Sequence, residues 1–259
     1  MNTTSDTEER QDTQLALEQE VQLASEQEAQ LGSGWQAQLA SERKALLASE
    51  QEARLASGRQ ALILVDIQND FCPGGALAVQ GGDEVVAVAN QLALEFVEKG
   101  GLVVATQDWH PADHGSFASQ AGRAIGEVGL LGGIDQVFWP DHCIVETVGA
   151  ELHSDLRVDL IDMVFAKGTD RNIDSYSGFY DNDHQTSTGL AEALRAAGVV
   201  AVTIVGLATD YCVAATARDA IAEGFAVTVV AAGCRAVDLT AGDGQRALDE
   251  LEALGVEVV

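Results

Sequence analysis

Cys212 sits in the segment 206–213, GLATDYCV, directly after an uncharged run rich in Val and Ile (199–205) and at the start of a helical pattern. Thr209 and Asp210 are good N-cap residues. They put the sulfur in a first helical turn, where unpaired backbone N–H groups and the positive end of the dipole favour a thiolate. Taken alone the stretch fits a nucleophile and a small buried hydrophobe equally well. Three charged residues decide between them. Asp66, Asp108 and Lys167 close three other apolar runs, at 61–65, 102–106 and 161–166. In an open parallel sheet those carboxyl ends face one crevice. Asp66 can take the proton of the thiol, and Lys167, one of three lysines in the chain, can hold that carboxylate and stabilise nearby negative charge. Backbone N–H groups of the tight Gly206-Leu207-Ala208 turn and of the helix start can receive an oxyanion. Acyl chemistry is the class these residues define.

A second set lies in DWHPADH (108–114) and WPDHC (139–143). Asp108 and His110 are two apart, so at a strand end they project to one side, and His142 can join them. One carboxylate and two imidazoles suit Zn²⁺, Fe²⁺ or Mn²⁺ with positions left open for water or substrate. His114 offers a fourth protein ligand.

The elements that must position these groups alternate. Strand signals at 61–65, 102–106, 161–166, 199–205, 225–231 and 256–259 are separated by helical patterns at 84–98, 189–197, 211–223 and 244–253. This predicts an α/β fold of three layers, a mostly parallel sheet with helices on both faces. Residues 109–160 form a long irregular stretch with one short apolar helix candidate at 148–156. Stretches of this length inside a domain are usually functional.

Ahead of this domain, predicted over 61–259, residues 1–60 are an extension of low complexity. Six octads such as QLASEQEA run from Gln14 to Ala61. Ala, Leu, Glu and Gln favour helix, but an eight-residue period rotates each leucine by roughly 80° per unit. The extension is thus partly helical without a continuous apolar seam, which leaves self-association into a homo-oligomer open. A formal charge of −27 on 259 residues repels nucleic acid and excludes it as a partner. Residues 62–259 hold 30 Asp plus Glu against 9 Lys plus Arg, a balance resembling proteins that work in high salt. No apolar run approaches 18 residues and the N-terminus is polar, which argues against a membrane span and a secretory signal and predicts a cytoplasmic protein. Four cysteines without a C-x-x-C pair are expected to be free thiols.

The segments DIQNDFCPGGALAV (66–79), QDWHPADHGSFAS (107–119), FWPDHC (138–143), FAKGTD (165–170), DSYSGFYDN (174–182) and GLATDYCV (206–213) together resemble the nicotinamidase/pyrazinamidase branch of the isochorismatase-like hydrolases. The resemblance runs from about residue 61 to the C-terminus. It implies hydrolysis of nicotinamide to nicotinate and ammonia in NAD salvage, with Asp66, Lys167 and Cys212 as the triad. It implies Asp108, His110 and His142 as ligands of one divalent ion, Zn²⁺ first, with His114 a ligand in some relatives. It further implies a cis peptide between Leu207 and Ala208, an oxyanion hole from the N–H groups of Ala208 and Cys212, and a ring pocket of Phe71, Trp139, Tyr176 and Tyr211. The octads have no counterpart in that pattern. Three alternatives stand beside this one. Isochorismatases cleave a vinyl ether without a cysteine, and carbamoyl-type amidohydrolases use Cys, Asp and Lys without a metal. A non-catalytic scaffold would carry its function in the repeat.

Overall fold

Strand β1, Arg59–Val65, shows how the sheet comes to be covered on both sides. Ala61, Ile63 and Val65 enter one core cluster and Leu62 and Leu64 the other. This is the two-residue alternation of a pleated strand with neither face left for water. The computed structural model describes residues 38–43, 49 and 58–259, and Ser57–Val259 is a unit of its own. After β1 come α1 (Val85–Glu98), β2 (Leu102–Asp108), α2 (Ala118–Ala121), β3 (Val128–Leu131), β4 (Ile134–Val137) and β5 (Met163–Lys167). The chain goes on through α3 (Leu190–Ala196), β6 (Val199–Leu207), α4 (Ala214–Ala222), β7 (Ala226–Arg235), α5 (Asp243–Ala253) and β8 (Glu257–Val258).

The main sheet has the order β5-β2-β1-β6-β7-β8, and every neighbouring pair is parallel. From β1 the chain builds outward through β2 to β5, then returns to lay β6 on the other side of β1. That reversal opens a crevice at the carboxyl ends between β1 and β6, the place where open α/β sheets bind ligands. Helix α1 covers one face, burying Val85, Val86, Ala89 and Ala93 with Leu62, Leu64 and Leu207. Helices α3, α4 and α5 cover the other, burying Leu190, Leu194, Ala217, Ala220 and Leu251 with Ile63 and Ile204. The three-layer expectation holds.

Several boundaries differ from those read in the sequence. Gly206 does not end β6. At φ +133° it stays in the strand beside Val65, and a Cβ there would lie 2.0 Å from the Val65 carbonyl oxygen. The helix expected at 148–156 is a short 3-10 turn, Val148–Ala150. Long-range partners take over its backbone: Asn69 Nδ2 donates to Val148 O at 2.7 Å, Leu152 bridges to Gln68, and His153 N donates to Ile67 O at 2.8 Å. The hairpin β3–β4 was not anticipated. It is antiparallel and turns at Gly132 and Gly133, both at positive φ. Strand β1 starts at Arg59, two residues ahead of the expected domain boundary. In the extension, residues 38–43 are helical and exposed, with Gln38 Nε2 donating to Glu42 Oε1 at 2.9 Å; residue 49 is helical and the rest of the octads up to residue 57 lies outside the described residues. Among the described residues no helix is long and apolar enough to cross a membrane.

Candidate active site

Four strand ends bring the charged groups together as expected. Asp66 follows β1 in a left-handed conformation, φ 48°, which turns the chain out of the sheet and leaves the carboxylate over the crevice. Asp108 and Lys167 end β2 and β5 and are register partners. Cys212 follows β6. All four are buried. Lys167 is the hub: Nζ lies 3.0 Å from Asp66 Oδ2, donates to Asp108 Oδ1 and to Ser175 O at 2.8 Å, and sits 3.5 Å from Cys212 Sγ. Asp66 Oδ1 accepts from Thr106 Oγ1 at 2.7 Å. Atoms of Asp66, Asp108 and Cys212 lie within 4.8 Å of one another.

Burial pushes Asp66 up to about 6, against the pull of Lys167 and with help from Asp108. Burial also raises Asp108, but Lys167 and His110 outweigh it and hold that carboxyl well below the usual range. The Cys212 thiol is driven well above its usual value by burial, Lys167 opposing and the two aspartates adding to the rise. The thiolate expected from the helix start is therefore corrected: in the resting site the sulfur carries its proton. Thr209 and Asp210 do not cap a helix either. Thr209–Val213 is a π-type turn ahead of α4, and the Asp210 carboxylate accepts from the N–H groups of Val237 and Asp238, both at 2.9 Å. The Leu207–Ala208 peptide is cis. Ala208 O accepts from Tyr211 N and Val213 N at 3.1 and 3.0 Å, and Ala208 N–H has no acceptor among the described residues.

The histidines converge on the outer oxygen of Asp108. His110 Nδ1 donates to Gly168 O at 2.8 Å and His142 Nδ1 to Pro140 O at 2.7 Å. This aims each Nε2 at Asp108 Oδ2, 3.6 and 3.8 Å away; burial lowers His110, but Asp108 outweighs it and holds that ring above its ordinary value. Burial, reinforced by His110, lowers His142 to about 4, so its ring is neutral. His114 is turned elsewhere: Nδ1 meets Ser116 Oγ at 2.7 Å and Nε2 meets Ile173 O at 3.2 Å, while its ring packs 4.4 Å from that of His110.

Above these groups lies a cleft with Cys212, Asp108 and His142 on its wall. The four aromatic residues expected of a ring pocket, Phe71, Trp139, Tyr176 and Tyr211, all line it. Trp139 and Tyr211 meet edge to face at 4.8 Å. Trp139 Nε1 donates to the Tyr176 hydroxyl at 3.2 Å. Leu77, Asp174 and Val237 also line the cleft and were not anticipated. Asp174 had a signal, as an acid two residues before Tyr176 in a segment already singled out. Leu77 lies in another such segment, 66–79, and Val237 had no signal. Thr106, which holds Asp66, looked like the end of an apolar run.

A parallel sheet with this crevice at its carboxyl ends places the chain in the isochorismatase family: the family model described as Isochorismatase domain matches residues 60–259. Within the family the chain is 48% identical over 196 residues to the nicotinamidase of Escherichia coli strain K12, covering 76% of this chain and 92% of that protein. Among solved structures, a nicotinamidase pyrazinamidase of Acinetobacter baumanii superposes with a TM-score of 0.74 at 42% identity, covering 78% of this chain and 96% of that one. A pyrazinamidase of Pyrococcus horikoshii in complex with zinc gives 0.65 at 39% identity, covering 78% and 98%.

Proposed function

We propose that the chain hydrolyses nicotinamide to nicotinate and ammonia, and pyrazinamide likewise, through a thioester on Cys212. The observation that carries this is the placement of Cys212 on the wall of a cleft lined by four aromatic residues, with Lys167 Nζ 3.5 Å from its sulfur and 3.0 Å from Asp66 Oδ2 behind it. Phe71, Trp139, Tyr176 and Tyr211 enclose a flat heteroaromatic ring, and the carboxamide reaches the sulfur. Asp66 takes the thiol proton as the sulfur attacks the amide carbon, with Lys167 beside the developing thiolate. The N–H groups of Ala208 and Cys212 receive the carbonyl oxygen as it becomes an oxyanion. When the C–N bond breaks, Asp66 returns the proton and ammonia departs. Water then attacks the thioester, Asp66 taking its proton, and the released sulfur recovers one to restore the thiol.

The site also fits a divalent ion. The Nε2 atoms of His110 and His142 lie 3.6 and 3.8 Å from Asp108 Oδ2, close to the roughly 3.4 Å between neighbouring ligands of a tetrahedral ion about 2.1 Å from each. Asp108, His110 and His142 would hold Zn²⁺, which when bound would ligate the ring nitrogen and a water and so orient the amide. Gly168 is part of this fit. It sits at φ +62°, and a Cβ there would lie 2.3 Å from His110 Cε1. Gly168→Ala is expected to displace the ring and weaken Zn²⁺ binding roughly tenfold or more, read by competition with a chromophoric chelator; unchanged affinity would take His110 out of the ligand set.

The test of the function is ammonia release from nicotinamide by the full chain with Zn²⁺ supplied. Steady turnover is expected. No release by folded, metal-loaded protein would leave the scaffold alternative standing.

A further inference from the structure

The segment 66–79 contains one fully buried polar side chain that the reaction does not use. Gln68 has no exposed surface, a position an amide tolerates when its hydrogen bonds are made. The reason lies in how two strands end. Pairing of β1 with β2 runs from Ala61↔Leu102 to Leu64↔Ala105, after which β1 turns away. Strand β2 continues, paired with β5, to Asp108↔Lys167. The Asp108 N–H and C=O on the side that β1 has vacated are left without a strand neighbour. Gln68 fills that place with its side chain. Oε1 accepts from Asp108 N at 2.8 Å, and Nε2 donates to Asp108 O at 2.9 Å and to Ala150 O at 2.8 Å.

We propose that Gln68 is a positioning residue for the metal centre: its carboxamide acts as a surrogate strand that locks the backbone of Asp108. With N–H and C=O both clamped, the peptide planes on either side of Asp108 cannot rock. Oδ1 then stays on Lys167 while Oδ2 stays opposite His110 and His142. The inference rests on the metal reading above and concerns a residue outside the ligand set. Partners of ligands typically change metal affinity 10- to 100-fold when removed.

The experiment is a Zn²⁺ dissociation constant, by chelator competition, on the full chain and two variants. Gln68→Leu keeps the approximate volume and removes all three hydrogen bonds. Gln68→Glu is isosteric, keeps the acceptor for Asp108 N–H, and sets a carboxylate against two carbonyls. Both are expected to bind Zn²⁺ about 10- to 100-fold more weakly. Leu251→Ala, on the buried face of α5, is the control. It should lower the melting temperature and leave the Zn²⁺ constant unchanged, which separates loss of positioning from general destabilisation. Should Gln68→Leu not fold, Gln68→Glu decides alone. Wild-type affinity in either folded glutamine variant overturns the proposal. A wild-type chain that binds no Zn²⁺ overturns the metal reading beneath it, a distinguishable result.

Discussion

Replacing Cys212 with alanine is expected to lower kcat by at least about a thousandfold, equivalent to about 4 kcal/mol of transition-state stabilisation, while nicotinamide still binds within a few-fold of wild type. The substitution removes one atom. The cleft walls, Phe71, Trp139, Tyr176 and Tyr211, are untouched, and the void left by a sulfur in a buried site costs on the order of 1 kcal/mol, too little to unfold a domain of this size. What disappears is the atom that forms the thioester. Because burial holds the Cys212 thiol protonated at rest, the sulfur becomes a nucleophile as Asp66 takes its proton, with Lys167 3.5 Å away to stabilise the anion. Cys212→Ser should stay near the alanine level, since a hydroxyl is a much weaker acid and Asp66, at about 6, is a poor match for it. Ammonia release gives the rate, equilibrium binding gives the affinity, and acid-quenched mass spectrometry should find a nicotinoyl adduct in wild type and none in the alanine variant. An alanine variant turning over near the wild-type rate would remove Cys212 from the mechanism.

The sheet was legible in the sequence because its central strands, β1, β2 and β6, are largely buried on both faces. Runs such as ALILV at 61–65 leave no polar alternation, and charges could appear where the strands emerge from the core. That alone located Asp66, Asp108 and Lys167, and their proximity follows from topology. Family resemblance supplied what spacing did not: the cis peptide and the pocket aromatics. What stayed hidden depends on contacts between distant segments. Glycine usually ends a strand, yet Gly206 continues β6 because the absence of a Cβ lets it lie against Val65 O. Asp210 looks like a cap and instead receives two N–H groups from the segment after β7. The stretch 148–156 has apolar residues at helical spacing, but Asn69 and Gln68 bind its backbone in another conformation. Gln68 itself carries no local signal, since nothing in a glutamine between Ile67 and Asn69 shows that β2 outruns β1.

Asp108→Ala is expected to reduce Zn²⁺ binding below detection and to lower turnover by orders of magnitude with the fold intact, and the reason lies in what each oxygen of that carboxylate touches. Oδ2 supplies the negative charge of the ligand set. Without it two imidazoles remain, and they hold a divalent ion far less well than a set with a carboxylate. Oδ1 pairs with Lys167, so its loss would be destabilising if it stranded a buried ammonium, a change that costs about 3–5 kcal/mol when one partner of a buried pair is removed. Here the ammonium is not stranded: Asp66 Oδ2 remains 3.0 Å away and Ser175 O 2.8 Å away, leaving a one-to-one pair. The backbone at 108 keeps its neighbours, β5 on one side and the Gln68 amide on the other. Circular dichroism should therefore match wild type while metal content and ammonia release fall together. The parallel experiment on the unmodified chain, complete metal removal by a chelator, should give the same loss and be reversed by Zn²⁺, whereas Asp108→Ala should not be rescued. Full activity of demonstrably metal-free wild type would place the chain with the amidohydrolases that use cysteine, aspartate and lysine alone, and the charge of Asp108 would then serve Lys167 rather than an ion.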